Sequence, residues 1–380
     1  MEPMTVRELL EATGGRLLAG REEDTITGVE TDSRAVHPGD LFVALRGERT
    51  DGHRFVSGAL ETGAAGCLVE QVPQQLRQDR FYILVEDTLK AVGQVAKAYK
   101  ARFPIHVIAV TGSVGKTTTK DMVASVLGQR FRVLKTEGNF NNELGLPLTL
   151  FRLNRQHEMC VLEMGMNHFG EIDYLTQIVS PHVAVITNIG DAHIENLGSR
   201  EGILQAKSEI FHTMGPEDLA VLNGDDPLLR TLDGQIAPQI IFCGADRQPP
   251  YEAKEIRQLG AKGMACLVKT PQGEFSVTVP ALGGHMIYPV LMACAIAERY
   301  GMGQEEIKRG IEAFVPTKMR MNVIRQGEVT ILDDAYNANP QSMRAALEVL
   351  SQTEGTSRVA VLGDMFELGD LGPELHRSMG

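Results

Sequence analysis

Residues 111–118 read TGSVGKTT. They follow an apolar run, VIAV at 107–110, and precede a segment whose Met122, Val123, Val126 and Leu127 fall on one face of a helix. A glycine-rich turn between a strand and a helix is the setting of a phosphate-binding loop. There the glycines let backbone N–H groups approach phosphate oxygens, and the helix N-terminus adds a positive partial charge. Lys116 is placed to reach the β- and γ-phosphates, and Thr117 to ligate magnesium. One position departs from the consensus GxxxxGK[ST]: Val110 stands where the first glycine belongs. The plainer alternative, a tight turn with an incidental lysine, is disfavoured by the strand pattern before the loop and the helix pattern after it. Binding of a nucleoside triphosphate is the expectation.

Outward from the loop the pattern repeats. HVIAVTG, KTTTKDMVASVLGQRF, EMCVLEMG, EIDYLTQIV, HVAVITNIG, REGILQAKSEIFHTM, LAVLNGDD and QIIFCGA follow one another after Ile105. Nearly continuous apolar strands separated by helices mark a parallel sheet covered on both faces. GMACLVKTPQGEFSVTVP at 263–280 reads as a hairpin turning at Gln272 and Gly273, with a helix over 286–300 behind it. Before Pro104, which would stop a helix, strand-like GVETDSR, DLFVALRG, CLVEQ and YILVED alternate with helix-like VRELLEAT, FVSGALETG and TLKAVGQVAKAYKARF. From about Pro316 a third stretch offers strands VTILDDAY and RVAVLGDM around a helix over 341–350. So few elements bury little core, and this third unit is expected to be incomplete. At roughly 100 to 200 residues per domain, the reading is an α/β chain in three domains, 1–103, 104–315 and 316–380.

Composition excludes several classes. Apolar residues at 43% and charged residues at 23% are ordinary for a chain that folds. No run approaches the ~20 apolar residues of a bilayer span, and the N-terminus lacks the apolar core of a signal peptide. The balance of 37 basic and 49 acidic residues gives −12, with no basic stripe, which argues against nucleic acid as a partner. Cys67, Cys160, Cys243, Cys266 and Cys294 are odd in number, scattered and without a CxxC pair. They fit free thiols of a reducing compartment, so a cytoplasmic location is expected.

Magnesium on a triphosphate takes one or two carboxylates beside the loop hydroxyl. Glu163 closes the apolar strand MCVLE and is the first candidate; Asp225 and Asp226 in LNGDD compete. Any such carboxylate is more commonly a cap or turn residue. His193, in NIGDAHIE, could reach the same sheet edge, although a lone histidine is more often structural. Lys207, in ILQAKSEIF, has nothing local to set it apart from a solvated helix lysine.

Taken together, TGSVGKTT, NFNNELGLPLTL, EMGMNHFGEI, TNIGDAHIENLGSREGILQAKSEIF and LDDAYNANPQSM resemble the Mur ligases over essentially the whole chain. NFNNELGLPLTL and DDAYNANP resemble the branch that joins D-Ala-D-Ala to UDP-MurNAc-tripeptide, and the DNPR string of a sibling branch is absent. The resemblance implies a first domain for the UDP-sugar, a central ATP-binding domain and a Rossmann-like third domain that closes over the site. It implies an acyl-phosphate route with ATP and Mg2+, in cytoplasmic peptidoglycan precursor synthesis. Catalytic roles fall on Lys116, His193 and Lys207. Thr117 and Glu163 resemble ligands of one magnesium and His193 of a second, while Lys207 matches a lysine carbamylated by carbon dioxide, which turns a cation into an oxygen anion. ATP contacts are implied for Thr111, Gly112, Ser113, Val114, Gly115, Lys116, Thr117, Thr118, Asn188, His285, Arg320 and Asp334. Substrate contacts are implied for Ser33, Arg34, Asn141 and Asn142. In the string TDSRAVHPGDLFVALRGERTDGHRF, Ser33 and Arg34 would bond the uridine diphosphate, and Asp51, Gly52 and His53 follow the same pattern without a clear role.

Two departures stand out. Where the family often has an adenine-contacting Asn, this chain has Pro289, and Met286 replaces a neighbouring Asn, so backbone or Tyr288 would have to serve. The resemblance also continues beyond VLGDMFELG in the family, so the chain as given is expected to bind its substrates better than it joins them. A monomer is expected. The competing readings are a sibling amide ligase such as a folylpolyglutamate synthase, against which the DSR string argues, and a P-loop ATP-binding protein without ligase activity.

Overall fold

The structure is a computed structural model that describes residues 1–47 and 50–380; Glu48 and Arg49, inside the UDP-binding string, lie outside the described residues. The chain divides into two compact units, Met1–Ile105 with Glu137–His157, and His106–Thr136 with Glu158–Gly380.

In the first unit a five-stranded sheet runs in the order Arg16–Ala19, Phe81–Leu84, Gly66–Val69, Asp40–Val43, Gly28–Glu30. All neighbours are parallel except the first pair. Helix Val6–Thr13 begins in a capping box between Thr5 and Glu8, and Asp87 caps helix Thr88–Lys100 through the Lys90 amide. Phe42, Leu60, Cys67, Val69 and Tyr82 form the buried core. The expected strands are present. Arg16–Ala19, largely half-buried at the sheet edge, gave no alternation to read. Asp51 and His53 form a clasp. His53 Nδ1 pairs with Asp51 at 2.7 Å while Nε2 accepts from the Glu70 amide at 2.8 Å, so the neutral ring carries its proton on Nδ1.

Glu137–His157, inside the span expected for the central domain, packs in this first unit. The reason is Tyr99. Its ring lies 5.9 Å from that of Phe151, its hydroxyl donates to the Leu153 carbonyl at 2.7 Å, and the same oxygen accepts from the Glu2 amide at 2.8 Å.

The second unit is built on a nine-stranded sheet. Its order is Gly273–Val279, Met264–Thr270, Tyr251–Gln258, Gln239–Gly244, Leu219–Asn223, Val183–Ile186, His106–Thr111, Met159–Glu163, Val133–Lys135. The strands from Tyr251–Gln258 onward are parallel; the expected hairpin adds an antiparallel edge. Ile108, Val110, Val161, Val185 and Val221 face Val123, Val126, Val290, Leu291, Ile307 and Ile311 of helices Lys116–Leu127, Ile287–Arg299 and Gln304–Glu312. The alternate residues Val107, Ala109, Cys160, Leu162, Ala184 and Ile186 are just as buried, as coverage of both faces requires. All five cysteines are buried. No helix among the described residues is long and apolar enough to cross a membrane.

The third stretch also clusters with this unit. Asn322–Gln326 and Val329–Asp333 pair as a hairpin, followed by helix Pro340–Gln352 behind its Asn339 cap. RVAVLGDM, expected as a strand, is not one: residues 358–365 have no ladder partner among the described residues, and Val359 and Val361 are 78% and 94% exposed. Apolar and β-branched residues make a strand only where another strand takes up their N–H and C=O groups. The connection into this stretch is tied down. Thr317 donates its hydroxyl to buried Asp121 on helix Lys116–Leu127, and Lys135 and Lys120 hold the same carboxylate at 2.7 and 3.2 Å. Lys120 also donates to the Thr136 carbonyl at 2.8 Å, and Thr136 Oγ1 accepts from the Glu163 amide at 3.0 Å.

Tyr99→Phe removes one oxygen that serves two backbone groups, Leu153 C=O and Glu2 N–H. Urea unfolding should show a loss of about 1–3 kcal/mol, the cost of leaving such groups without a partner; an unchanged midpoint would refute the role given to Tyr99.

Candidate active site

Strand His106–Thr111 lies between Val183–Ile186 and Met159–Glu163; the chain leaves it toward Val133–Lys135 on one side, whereas it leaves the neighbouring Val183–Ile186 toward Leu219–Asn223 on the other. Open α/β sheets bind ligands at the carboxyl edge of such a switch point. Val110 is fully buried within this strand, in register with Val185 on one side and Glu163 on the other. The missing consensus glycine therefore stands in regular strand, where a side chain has room. The turn begins at Gly112, with φ 145°, and Gly115, with φ 83°, caps helix Lys116–Leu127. A Cβ on Gly112 would fall 1.9 Å from Thr187 Oγ1.

The loop is braced by its protein neighbours. Thr187 donates its hydroxyl to the Val114 carbonyl at 2.6 Å, and Asn188 both accepts from the Val114 amide at 3.0 Å and donates to its carbonyl at 2.8 Å. Ser113 N–H donates to the Asn188 carbonyl at 3.1 Å, and Ser113 Oγ accepts from the Gly190 amide at 2.8 Å. Asn188, expected among the nucleotide contacts, thus spends its amide on Val114. Lys116 Nζ donates to the Gly112 carbonyl at 2.9 Å, folded over its own loop. Thr111 donates to the Met164 carbonyl at 2.9 Å, and Thr117 is buried at the first turn while Thr118 is half-buried.

Around this loop six charged groups are linked through Lys116 and His193. Burial pulls the Lys116 ammonium below its ordinary pKa; Glu163 opposes and Arg320 reinforces that pull. Glu163 is 3% exposed at the end of its strand. Lys207, 1% exposed in helix Arg200–Ser208, is driven well below the ordinary lysine range by burial first and by Lys116 second. His193 is held low by burial, then by Lys116 and Lys207, against Glu367, whose carboxylate lies 2.5 Å from Nδ1.

Among the described residues no group of three or more His, Cys, Asp and Glu is placed to hold a metal ion. What the edge offers is a hydroxyl, one buried carboxylate, an imidazole and a buried amine. That donor set fits a magnesium ion that brings most of its oxygen ligands with it as phosphate and water. The competing carboxylates are spent elsewhere. Asp225 accepts from the amides of Ala245 and Asp246 at 2.8 and 3.1 Å and from the Tyr288 hydroxyl at 3.1 Å. Asp226 caps Leu228 and Leu229 and accepts from the Ile189 amide at 2.7 Å.

Of the remaining sequence candidates, Arg320 stacks 4.0 Å from the Tyr336 ring, between Met319 and Met321, which both have positive φ. Asp334 accepts from the Met321 amide at 3.0 Å, and burial raises its pKa. His285 lies in the turn Gly284–Met286, within electrostatic reach of Glu348. Ser33, Arg34, Asn141 and Asn142 belong to the first unit. The exposed Arg34 guanidinium forks onto Asp32 at 2.6 to 3.2 Å, and Asn142 Oδ1 accepts from the Gly145 amide at 2.9 Å.

Comparison with known proteins shows the family of this fold. Residues 25–100 match the Mur ligase family catalytic domain, 110–297 the Mur ligase middle domain, and 319–380 the Mur ligase glutamate ligase domain. The UDP-N-acetylmuramoyl-tripeptide–D-alanyl-D-alanine ligase of Bacillus subtilis is 40% identical over 99% of this chain and 82% of its own length. The chain belongs to the Mur ligase family. Among solved Mur ligase structures, MurF from Acinetobacter baumannii superposes with a TM-score of 0.93 at 38% identity, covering 100% of this chain and 83% of that one. MurF from Thermotoga maritima, in complex with ADP, gives 0.85 at 30% identity over 92% of this chain and 80% of that one.

In this Mur ligase, sequence reasoning did not single out Thr187, Gln341 or Glu367. Gln341 reaches from the third stretch to Gly190, where an added Cβ would fall 2.5 Å from its Oε1. Gln341 and Glu367 lie in strings already set apart, NANPQSM and VLGDMFELG, but their partners lie far off in sequence. Gly112→Ala should leave the fold intact and weaken ATP binding roughly 5- to 150-fold, the equivalent of 1–3 kcal/mol of local strain. Calorimetric titration with ATP tests this, and wild-type affinity in that variant would disprove the close packing of Gly112 on Thr187.

Proposed function

We propose that this Mur ligase joins D-Ala-D-Ala to the terminal carboxylate of UDP-MurNAc-tripeptide, with ATP going to ADP and phosphate, in cytoplasmic peptidoglycan precursor synthesis, as a monomer. The observation that carries the reading is the cluster of Lys116, Glu163, His193 and Lys207 about a braced phosphate loop, in a chain 40% identical to a ligase of that name. A carboxylate is a poor electrophile. Its oxygen attacks the γ-phosphorus, ADP leaves, and the resulting acyl phosphate is attacked by the amine of D-Ala-D-Ala; the amide forms as phosphate departs and the amine proton passes to solvent or base. Lys116 places positive charge beside the negative charge that gathers on the oxygens of the transferred phosphoryl group.

Thr117, Glu163, His193 and a carbamylated Lys207 would hold magnesium, which supplies further positive charge to that phosphoryl group. Lys207 is suited to the change. Burial and Lys116 lower its pKa, which favours the neutral, nucleophilic amine. Attack on carbon dioxide forms an N–C bond, releases a proton and leaves an anion between cations that otherwise repel. Ser33 and Arg34 would take the uridine diphosphate, for which the guanidinium fork is shaped. Asn141 and Asn142 would contact substrate. The backbone of the loop 111–118, with Asn188, His285, Arg320 and Asp334, would surround the nucleotide.

Phosphate release should require UDP-MurNAc-tripeptide and D-Ala-D-Ala together; release that ignores either one would defeat the proposal. In that assay Lys116→Ala should lose on the order of 10³-fold in turnover with its fold preserved, and near-normal turnover would remove Lys116 from phosphoryl transfer.

Lys207→Ala should be nearly inactive, and acetate or formate in the buffer should restore part of the activity by filling the gap with a small anion. Intact mass of protein prepared with bicarbonate and magnesium should show the added carbon dioxide. An unmodified lysine in fully active protein would rule the carbamate out.

A further inference from the structure

His193 has φ 64°, a left-handed backbone that a residue with a side chain adopts at a cost of about 1–3 kcal/mol and keeps only where its surroundings enforce it. Opposite it, Glu367 has φ 62°. Two strained residues face each other across the contact between Glu367 and His193 Nδ1. The grip extends to the backbone: Glu195 N–H donates to the Glu367 carbonyl at 3.4 Å, and Gly369 lies so close that an added Cβ would fall 3.4 Å from the Glu195 side chain. The Asn196 and Leu197 amides close the turn on the His193 carbonyl at 3.1 and 3.3 Å. One short segment of the third stretch therefore holds both the ring of His193 and the chain just beyond it.

We infer that Glu367 is a positioning residue: it fixes the orientation and tautomer of the His193 imidazole, so that Nδ1 carries the proton and Nε2 is the nitrogen offered to the metal. An ionised carboxylate only accepts hydrogen bonds, so a neutral imidazole against it must present its N–H on Nδ1. A histidine that binds a metal characteristically gives its other ring N–H to such a carboxylate. Stability alone does not account for the pair. The Glu367 side chain is 47% exposed, and an exposed ion pair contributes little, too little to offset left-handed backbone at both of its ends. The inference rests on the reading of His193 as a metal ligand, and the test keeps the two apart.

The full 380-residue chain is prepared with 15N-labelled histidine, and the His193 ring signals are assigned by their loss in His193→Ala. The unaltered protein should show a single tautomer protonated on Nδ1. In Glu367→Ala the ring shifts should move toward a mixture of tautomers, and the magnesium concentration for half-maximal phosphate release should rise roughly 10- to 100-fold while KM for UDP-MurNAc-tripeptide stays put. Glu367→Gln keeps an acceptor oxygen and should retain the tautomer and most of the turnover. Unmoved ring shifts in Glu367→Ala would overturn the inference. So would moved shifts with an unaltered magnesium requirement, provided His193→Ala raises that requirement. A magnesium requirement unchanged in His193→Ala would instead remove the metal reading of His193, leaving the ring shifts to decide whether Glu367 sets the tautomer.

Discussion

Two buried amines, Lys116 and Lys207, lie at the carboxyl edge of a parallel sheet; burial makes the positive charge of each harder to keep, and Lys116 adds to the strain on Lys207. In water that arrangement would be unremarkable; under burial it has to be relieved, by loss of a proton or by arrival of negative charge. Glu163 supplies one anion from within. In the proposed reading the rest of the demand would be met from outside, by phosphate oxygens over the loop and by a carboxylate built onto Lys207. A net positive site of this kind is suited to an anionic ligand, and the hydrogen bonds that brace the loop hold its shape.

That rigidity comes from unlike sources. Val110 keeps the loop in register with the strands on both sides, Gly112 lets Thr187 pack against the backbone, and Asn188 takes up the polar groups of Val114. Each removes a different freedom: sliding, lifting and rotation. Ordering held by such protein contacts is a cost met on folding, and nucleotide binding then need not supply it.

The sequence was most legible where a signal is local. Apolar runs such as HVIAVT and MCVLE, the turn at Gln272 and Gly273, and TGSVGKTT all carry their conformation in a few neighbouring residues. Tyr251–Gln258 was not legible, because five of its eight residues face solvent and its apolar pattern is broken. Val133–Lys135 is three residues long and drew its identity from Met159–Glu163 beside it. RVAVLGDM shows the converse, strand-like residues with no ladder. The site divides in the same way. Lys116, Thr117 and Glu163 follow from motif and position, whereas nothing around Lys207 in the sequence reveals its burial. Its candidacy came through resemblance to a family. Glu367 and Gln341 stayed hidden because their partners, His193 and Gly190, lie more than 150 residues away.

The tether at Thr317 carries a geometric consequence. Because its hydroxyl is bound to Asp121, on the helix that begins with Lys116, the connection is clamped at its near end to the phosphate loop's own support. Any turning of the third stretch must take place beyond that clamp, in the few residues where Met319 and Met321 already hold left-handed backbone. Arg320 sits between them, at the pivot and not at the rim. Were the third stretch to turn there, the guanidinium would change aim more than place, and a short arc at the pivot would become a long excursion for Gln341 and Glu367.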